Sequence, residues 1–74
     1  SNLKKVEKVK MYNTKSKVNL RSGAGTNHAI VATLAAKTPV AVVSGGQKTV
    51  GDETWEMVKI NTDYYYILGS YLQK

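Results

Sequence analysis

Hydrophobic residues in this 74-residue chain fall in short runs, within which apolar and polar positions tend to alternate. In "VNLR", Val18 and Leu20 lie on one side of an extended strand, while Asn19 and Arg21 lie on the other. Runs of similar length are "IVATL" at 30–34, "TPVAVVS" at 38–44, "WEMVKI" at 55–60 and "YYYIL" at 64–68. The pattern therefore predicts five short β-strands.

Turn-forming residues separate these runs. "NTD" at 61–63 suits a tight hairpin, and Pro39 lies at the start of its strand, where its missing N–H costs little. "SGGQKTVGDET" at 44–54 predicts a long loop that contains glycine. No stretch shows a sustained 3.6-residue apolar period with caps. We expect an all-β fold, a small five-stranded barrel, with no helix except a short 3-10 turn near the C-terminus.

The length and the cysteine count narrow the class of protein. A chain of 74 residues builds one small domain with a thin core, and without cysteine it has neither a disulfide nor thiolate chemistry. No apolar run approaches the roughly 20 residues that a membrane-spanning helix needs. Because the chain starts with Ser1, we interpret it as a piece of a longer protein. Residues 1–7 are expected to be a linker or vector-derived arm, and residues 8–74 the folded domain.

The net charge of +6 is concentrated at one end of the chain. Residues 1–17 contain six lysines against Glu7 alone. A nucleic-acid-binding surface would interleave Arg and aromatic residues with such charges. A lysine-only segment is more typical of a solvated arm that is attracted to polyanions, so a basic nucleic-acid-binding barrel is the least favoured hypothesis.

Residues suited to catalysis are few and scattered. His28 is the only imidazole and lies in a predicted loop, where a lone histidine is usually a surface residue. Asp52, Glu53 and Glu56 lie in or beside the loop at 44–54, where nothing rigid would tune a carboxylate pair. No cluster has metal-ligand spacing. We predict no catalytic residues, no metal site and no cofactor, so any enzymatic activity would belong to another domain.

Four segments in order resemble the bacterial SH3 domain family. "VNLRSGAGTNHAIVATL" is similar to its opening motif, and "PVAVV", "TWEMVKI" and "YYILGSYLQK" match the segments that follow, over roughly residues 8–73. The resemblance implies an SH3-like five-stranded β-barrel. Three positions depart from the family: Ala24 replaces a usual proline, and Lys37 and Tyr65 replace usual glycines. Lys37 must therefore avoid a positive φ or accept strain, and Tyr65 should change the surface near the ligand groove.

The family pattern and strand alternation together predict which side chains are buried. The core is expected to consist of eight apolar residues: Val18, Leu20, Val31, Leu34, Val40, Val42, Val58 and Ile67. Alternation then places Trp55, Tyr64 and Tyr66 at or near the outer surface, where clustered aromatics often mark a recognition site. Closing the rim of the barrel is the alternative for these three rings. For Tyr71 and Leu72 we favour that structural role.

The resemblance also implies a ligand groove beside the loop 22–28. Gly23 and Gly25 would supply positive φ angles in this loop. Arg21 and Asn19 would either hold the loop through hydrogen bonds to its carbonyls or contact a ligand directly. The predicted ligand-binding residues combine this edge with the aromatic face: Asn19, Arg21, Asn27, Trp55, Tyr64 and Tyr66.

The function expected from the resemblance is that of a non-catalytic binding module in a larger bacterial or phage envelope protein. It would be a monomer, outside the cell or on the cell wall, that targets a peptidoglycan hydrolase or surface protein to cell-wall peptide. The alternative is a protein-interaction or packing module that contacts its own catalytic domain or a host protein. The neighbouring domain of the full chain would distinguish these hypotheses, which fold analogy alone cannot separate.

Overall fold

The computed structural model describes residues 8–73, so the predicted arm at 1–7 lies outside the described residues. The described chain is almost entirely β-structure, as predicted, with one 3-10 turn at Gly69–Tyr71. Its eight strands are β1 Val9–Thr14, β2 Val18–Arg21, β3 Ile30–Leu34, β4 Pro39–Val43, β5 Lys48–Val50, β6 Glu53–Ile60, β7 Asp63–Leu68 and β8 Leu72–Gln73. All five predicted strands are present, and β1, β5 and β8 add to them. No helix in the described part is long and apolar enough to cross a membrane.

All strand pairs are antiparallel, and the strands form one sheet in the order β3-β2-β7-β6-β4-β1-β8. The hairpin β2–β3 joins the sheet through Arg21, which pairs with Tyr66 of β7. Short strands and strong twist bend such a sheet around a single core. The β2–β3 hairpin and its loop therefore stand beside the β6–β7 hairpin.

Strand β5 corrects the prediction of a long loop at 44–54. Lys48–Val50 pairs with the first three residues of β6, and a two-residue turn, Gly51–Asp52, joins them. Gly51 has φ +63°, which glycine adopts without strain. A three-residue strand is too short for its sequence to show a clear alternation of apolar and polar residues. In the structure, β5 forms because the first residues of β6 extend beyond the rest of the sheet and pair with it.

Two other turns contain non-glycine residues with positive φ. The Asn61–Thr62 turn joins Ile60 to its partner Asp63, as predicted, and Asn61 has φ +59°. Lys37 has φ +63°, so this position accepts the strain that glycine would avoid.

The core consists of the buried residues Val18, Leu20, Val40, Val42, Val58, Ile67 and Leu72. Six of the eight predicted core residues are among them. Leu34 is half-buried against the core, whereas Val31 is 47% exposed and the prediction for it was wrong. Strand β3 lies at the edge of the sheet and pairs only with β2, so alternation along it does not separate a buried face from an exposed one.

A buried threonine connects β1 to the segment between β3 and β4. Thr14 is 1% exposed, and its hydroxyl donates to the carbonyl of Ala35 at 2.7 Å while accepting from the N–H of Thr38 at 2.9 Å. Its carbonyl also accepts from the N–H of Lys37 at 2.7 Å. These bonds satisfy backbone groups in residues 35–38, which are not paired with another strand. They also fix the left-handed turn at Lys37.

Candidate functional site

Arg21 holds the loop that follows β2. Its Nη1 donates to the carbonyl of Thr26 at 3.1 Å and to that of His28 at 2.9 Å. The predicted role of Arg21 in tying down the loop is therefore confirmed. The same role for Asn19 was wrong, because its Oδ1 accepts from the hydroxyl of Thr33 at 3.1 Å across the β2–β3 hairpin.

The two loop glycines are required for different reasons. Gly25 has φ +129°, as predicted, but Gly23 does not have a positive φ. At Gly23, a β-carbon would lie 2.6 Å from Nδ1 of His28, so only glycine lets the exposed imidazole pack against the loop. Asn27 is exposed, and its Oδ1 lies 2.8 Å from the position of a β-carbon at Gly25. The side chain of Asn27 thus lies against Gly25 of the same loop.

A cleft of about 250 Å³ lies between this loop, β6 and the 3-10 turn. One part of its lining is apolar or aromatic, and the other can form hydrogen bonds or ion pairs. The lining residues are Val18, Asn19, Arg21, Thr26, Glu53, Trp55, Leu68 and Tyr71. The cleft therefore brings together three of the six predicted ligand-binding residues: Asn19, Arg21 and Trp55.

Trp55 is buried, which corrects its predicted surface position. Its exposed fraction is 2%, because β6 is covered on both faces at this end. Lys48 and Leu68 are its partners on the flanking strands, and its ring also borders the cleft. The indole Nε1 is buried and has no hydrogen-bond acceptor among the described residues. Trp55 is thus a rigid wall of the cleft rather than an exposed anchor.

Tyr71 is a cleft residue that the sequence analysis assigned to the rim of the barrel. It is 40% exposed and lines the cleft, whereas Leu72 is 2% exposed, as the structural role predicts. Tyr71 is the last residue of the 3-10 turn and Leu72 the first residue of β8, so these neighbours enter different environments. The predicted effect of Tyr65 on the groove surface was also wrong, because Tyr65 is half-buried and packs against the core.

A larger cleft of about 700 Å³ adjoins the first and shares Glu53 and Leu68 with it. Glu56 lies in its wall, is only 4% exposed and accepts a 2.8 Å hydrogen bond from Nε2 of Gln47. The expectation that nothing rigid surrounds Glu56 was therefore wrong. A β-carbon at Gly69 would lie 3.3 Å from Cγ of Glu56, so the glycine leaves room for this carboxylate.

Tyr64 and Tyr66 lie outside both clefts, on the outer face of the sheet. A lysine ammonium group lies over each ring. The Nζ atom of Lys59 is 5.7 Å from the centroid of the Tyr64 ring, and that of Lys48 is 5.9 Å from the centroid of the Tyr66 ring. The structure thus divides the predicted site between a cleft and an adjoining aromatic outer face, which meet where Arg21 pairs with Tyr66. Within residues 8–73, no cluster of three or more His, Cys, Asp or Glu side chains could hold a metal ion.

Comparison with known proteins agrees with this architecture. The family model described as bacterial SH3 domain matches residues 16–73, so the chain belongs to the bacterial SH3 domain family. This family consists of small, non-catalytic binding modules. Searches of the curated proteins and of the solved structures gave no match.

Proposed function

We propose that this domain holds a larger bacterial or phage envelope protein, such as a peptidoglycan hydrolase, on the cell wall. It would do so outside the cell by binding wall peptide. The observation that supports this best is the cleft, whose lining combines the aromatic residues Trp55 and Tyr71 with the polar residues Asn19 and Arg21.

The chemistry of the cleft suits an extended peptide with a carboxylate. Aromatic side chains provide flat apolar surface for methyl and methylene groups. Arg21 uses Nη1 to hold the loop, and Nη2 and Nε are further donors that can meet a carboxylate or carbonyl. Because Trp55 is buried, this wall of the cleft is already fixed before a ligand binds. Binding should therefore cost little conformational entropy of the protein.

The affinity of one such cleft should be modest. Its volume of about 250 Å³ is below the range of about 300–1,000 Å³ that is typical of pockets that enclose a small ligand. A targeting module can accept weak binding, because the linked catalytic domain or a second copy of the module raises the effective affinity.

Co-sedimentation with purified peptidoglycan at moderate salt tests this proposal. Tyr71→Ala should weaken binding about tenfold, because Tyr71 is the exposed aromatic wall of the cleft. Val50→Ala is the control, since Val50 is 45% exposed against 40% for Tyr71 and lies outside the cleft. Trp55→Ala is a poor test, because it would remove a buried ring and destabilise the fold.

Comparison of Tyr71→Ala with Val50→Ala separates the possible outcomes. Loss of binding with Tyr71→Ala alone supports the cleft. Equal loss with both variants, or with neither, would contradict it. If the wild-type domain does not sediment with peptidoglycan at any salt concentration, the interaction or packing module becomes the better hypothesis.

A further inference from the structure

Strand register places a second surface on the outer face of the sheet, beside the cleft. Directly paired residues of antiparallel strands point to the same face. Met11 pairs with Ala41, Ala41 with Lys59, and Lys59 with Tyr64, which makes one row across four strands. A neighbouring row contains Met57 and Tyr66 and ends at Arg21, which also lines the cleft. We call the side chains of these two rows, together with Lys48, the outer face.

The outer face combines exposed apolar and aromatic area with positive charge. Met11 is 62% exposed and Tyr64 42%. Its charged members are Arg21, Lys48 and Lys59, and none of its residues is acidic. Of the four acidic residues described, Glu56 is buried at the larger cleft, Glu53 lines both clefts, Asp52 lines the larger one, and Asp63 pairs with Ile60 at the start of β7. The face therefore complements an anionic partner.

Each tyrosine ring lies beside an ammonium group in the same way. The Lys59–Tyr64 and Lys48–Tyr66 pairs have nearly equal distances between Nζ and the ring centroid, 5.7 and 5.9 Å. Tyr64 and Tyr66 are two residues apart on one strand, which separates them by about 7 Å. The surface thus repeats the same unit, a flat ring with a cation above it, along the direction of β7.

We propose that the outer face binds a linear anionic glycan through its two lysine–tyrosine pairs, which lie outside the peptide cleft. A sugar ring offers a flat face of C–H groups that can lie on a tyrosine ring, while its carboxylate meets the adjacent lysine. The repeated ring-and-cation unit fits a polymer in which both features recur. Nucleic acid is disfavoured, because Nη1 of the one arginine on the face is bonded to loop carbonyls and only two lysines accompany it.

Binding of oligogalacturonate, a chain of carboxylate-bearing sugars, to the isolated domain at 50 mM salt tests this inference by calorimetry. The Lys48→Gln/Lys59→Gln double variant should lose about tenfold in affinity. Lys10→Gln/Lys17→Gln removes the same charge elsewhere, since Lys10 pairs with Val42 on the opposite face and Lys17 lies outside the strands. This control should lose less than about twofold.

The contribution of the rings is tested with Tyr64→Thr, which keeps a strand-forming residue at an exposed position. It should weaken oligogalacturonate binding with an unchanged thermal midpoint, whereas Tyr71→Ala should not weaken it. Equal losses in both lysine double variants would overturn the inference in favour of non-specific charge attraction. Tighter binding to oligo-dT, or equal binding to neutral dextran, would also overturn it.

Discussion

The guanidinium of Arg21 lies 2.9 Å from the carbonyl oxygen of His28, seven residues further along the chain, and donates a hydrogen bond to it. A second bond from the same nitrogen reaches Thr26. The end of β2 therefore determines the shape of the loop that borders the cleft. A substitution of Arg21 should therefore change the conformation of the loop and the binding properties of the cleft together.

Arg21→Lys should loosen the loop and weaken peptidoglycan binding. An ammonium group is a compact point charge and does not reproduce the fixed fork of a guanidinium across two carbonyls. The loss of stability should be about 1 kcal/mol, because the bonds are exposed to solvent. Hydrogen exchange should become faster at the amides of Ser22 and His28, whose N–H groups bond within the loop. Unchanged exchange there would show that the loop holds its shape without Arg21.

Two valines distinguish the observed core from the predicted one. Val58→Ala should lower the free energy of unfolding by about 1–3 kcal/mol, because Val58 is fully buried. Val31→Ala should cost less than about 0.5 kcal/mol, because Val31 is 47% exposed on the edge strand. Urea denaturation of both variants measures the difference, and similar losses would mean that β3 is covered in solution.

Thr14→Val should cost about 1–3 kcal/mol although it preserves the shape of the side chain. The change removes both bonds of the hydroxyl and leaves the carbonyl of Ala35 and the N–H of Thr38 without that partner. The control is Thr33→Val, whose hydroxyl bonds to Asn19 at the exposed edge and should contribute little. If the two thermal midpoints fall equally, the buried hydroxyl is not what stabilises this segment.

Lys37→Gly should stabilise the domain by about 0.5–1 kcal/mol. Glycine relieves the cost of a left-handed conformation, and this gain exceeds the extra entropy that glycine gives the unfolded chain. Lys17→Gly is the control, because Lys17 does not have a positive φ and only the entropic loss applies. Thermal unfolding of both variants checks the sign, and destabilisation by Lys37→Gly would contradict the argument.

Alternation and β-branched residues along the chain were enough to predict five of the eight strands described, the turn at Asn61 and most of the core. The sequence also predicted that Arg21 would hold its loop, because an arginine between a core strand and a glycine-containing loop has carbonyls within reach. The family motifs determined the barrel, since their order along the chain matches the order of the strands.

The environments of Trp55, Val31 and Tyr71 depend on how distant elements pack together. Alternation tells which residues share a face of a strand, but burial depends on what covers that face. Trp55 is 2% exposed, and residues of the loop after β2 and of the 3-10 turn line the same cleft beside it. Val31 is exposed because β3 is an edge, and Tyr71 reaches the cleft because a 3-10 turn directs it there. Pairing between distant strands sets all three environments, and no local pattern encodes that pairing.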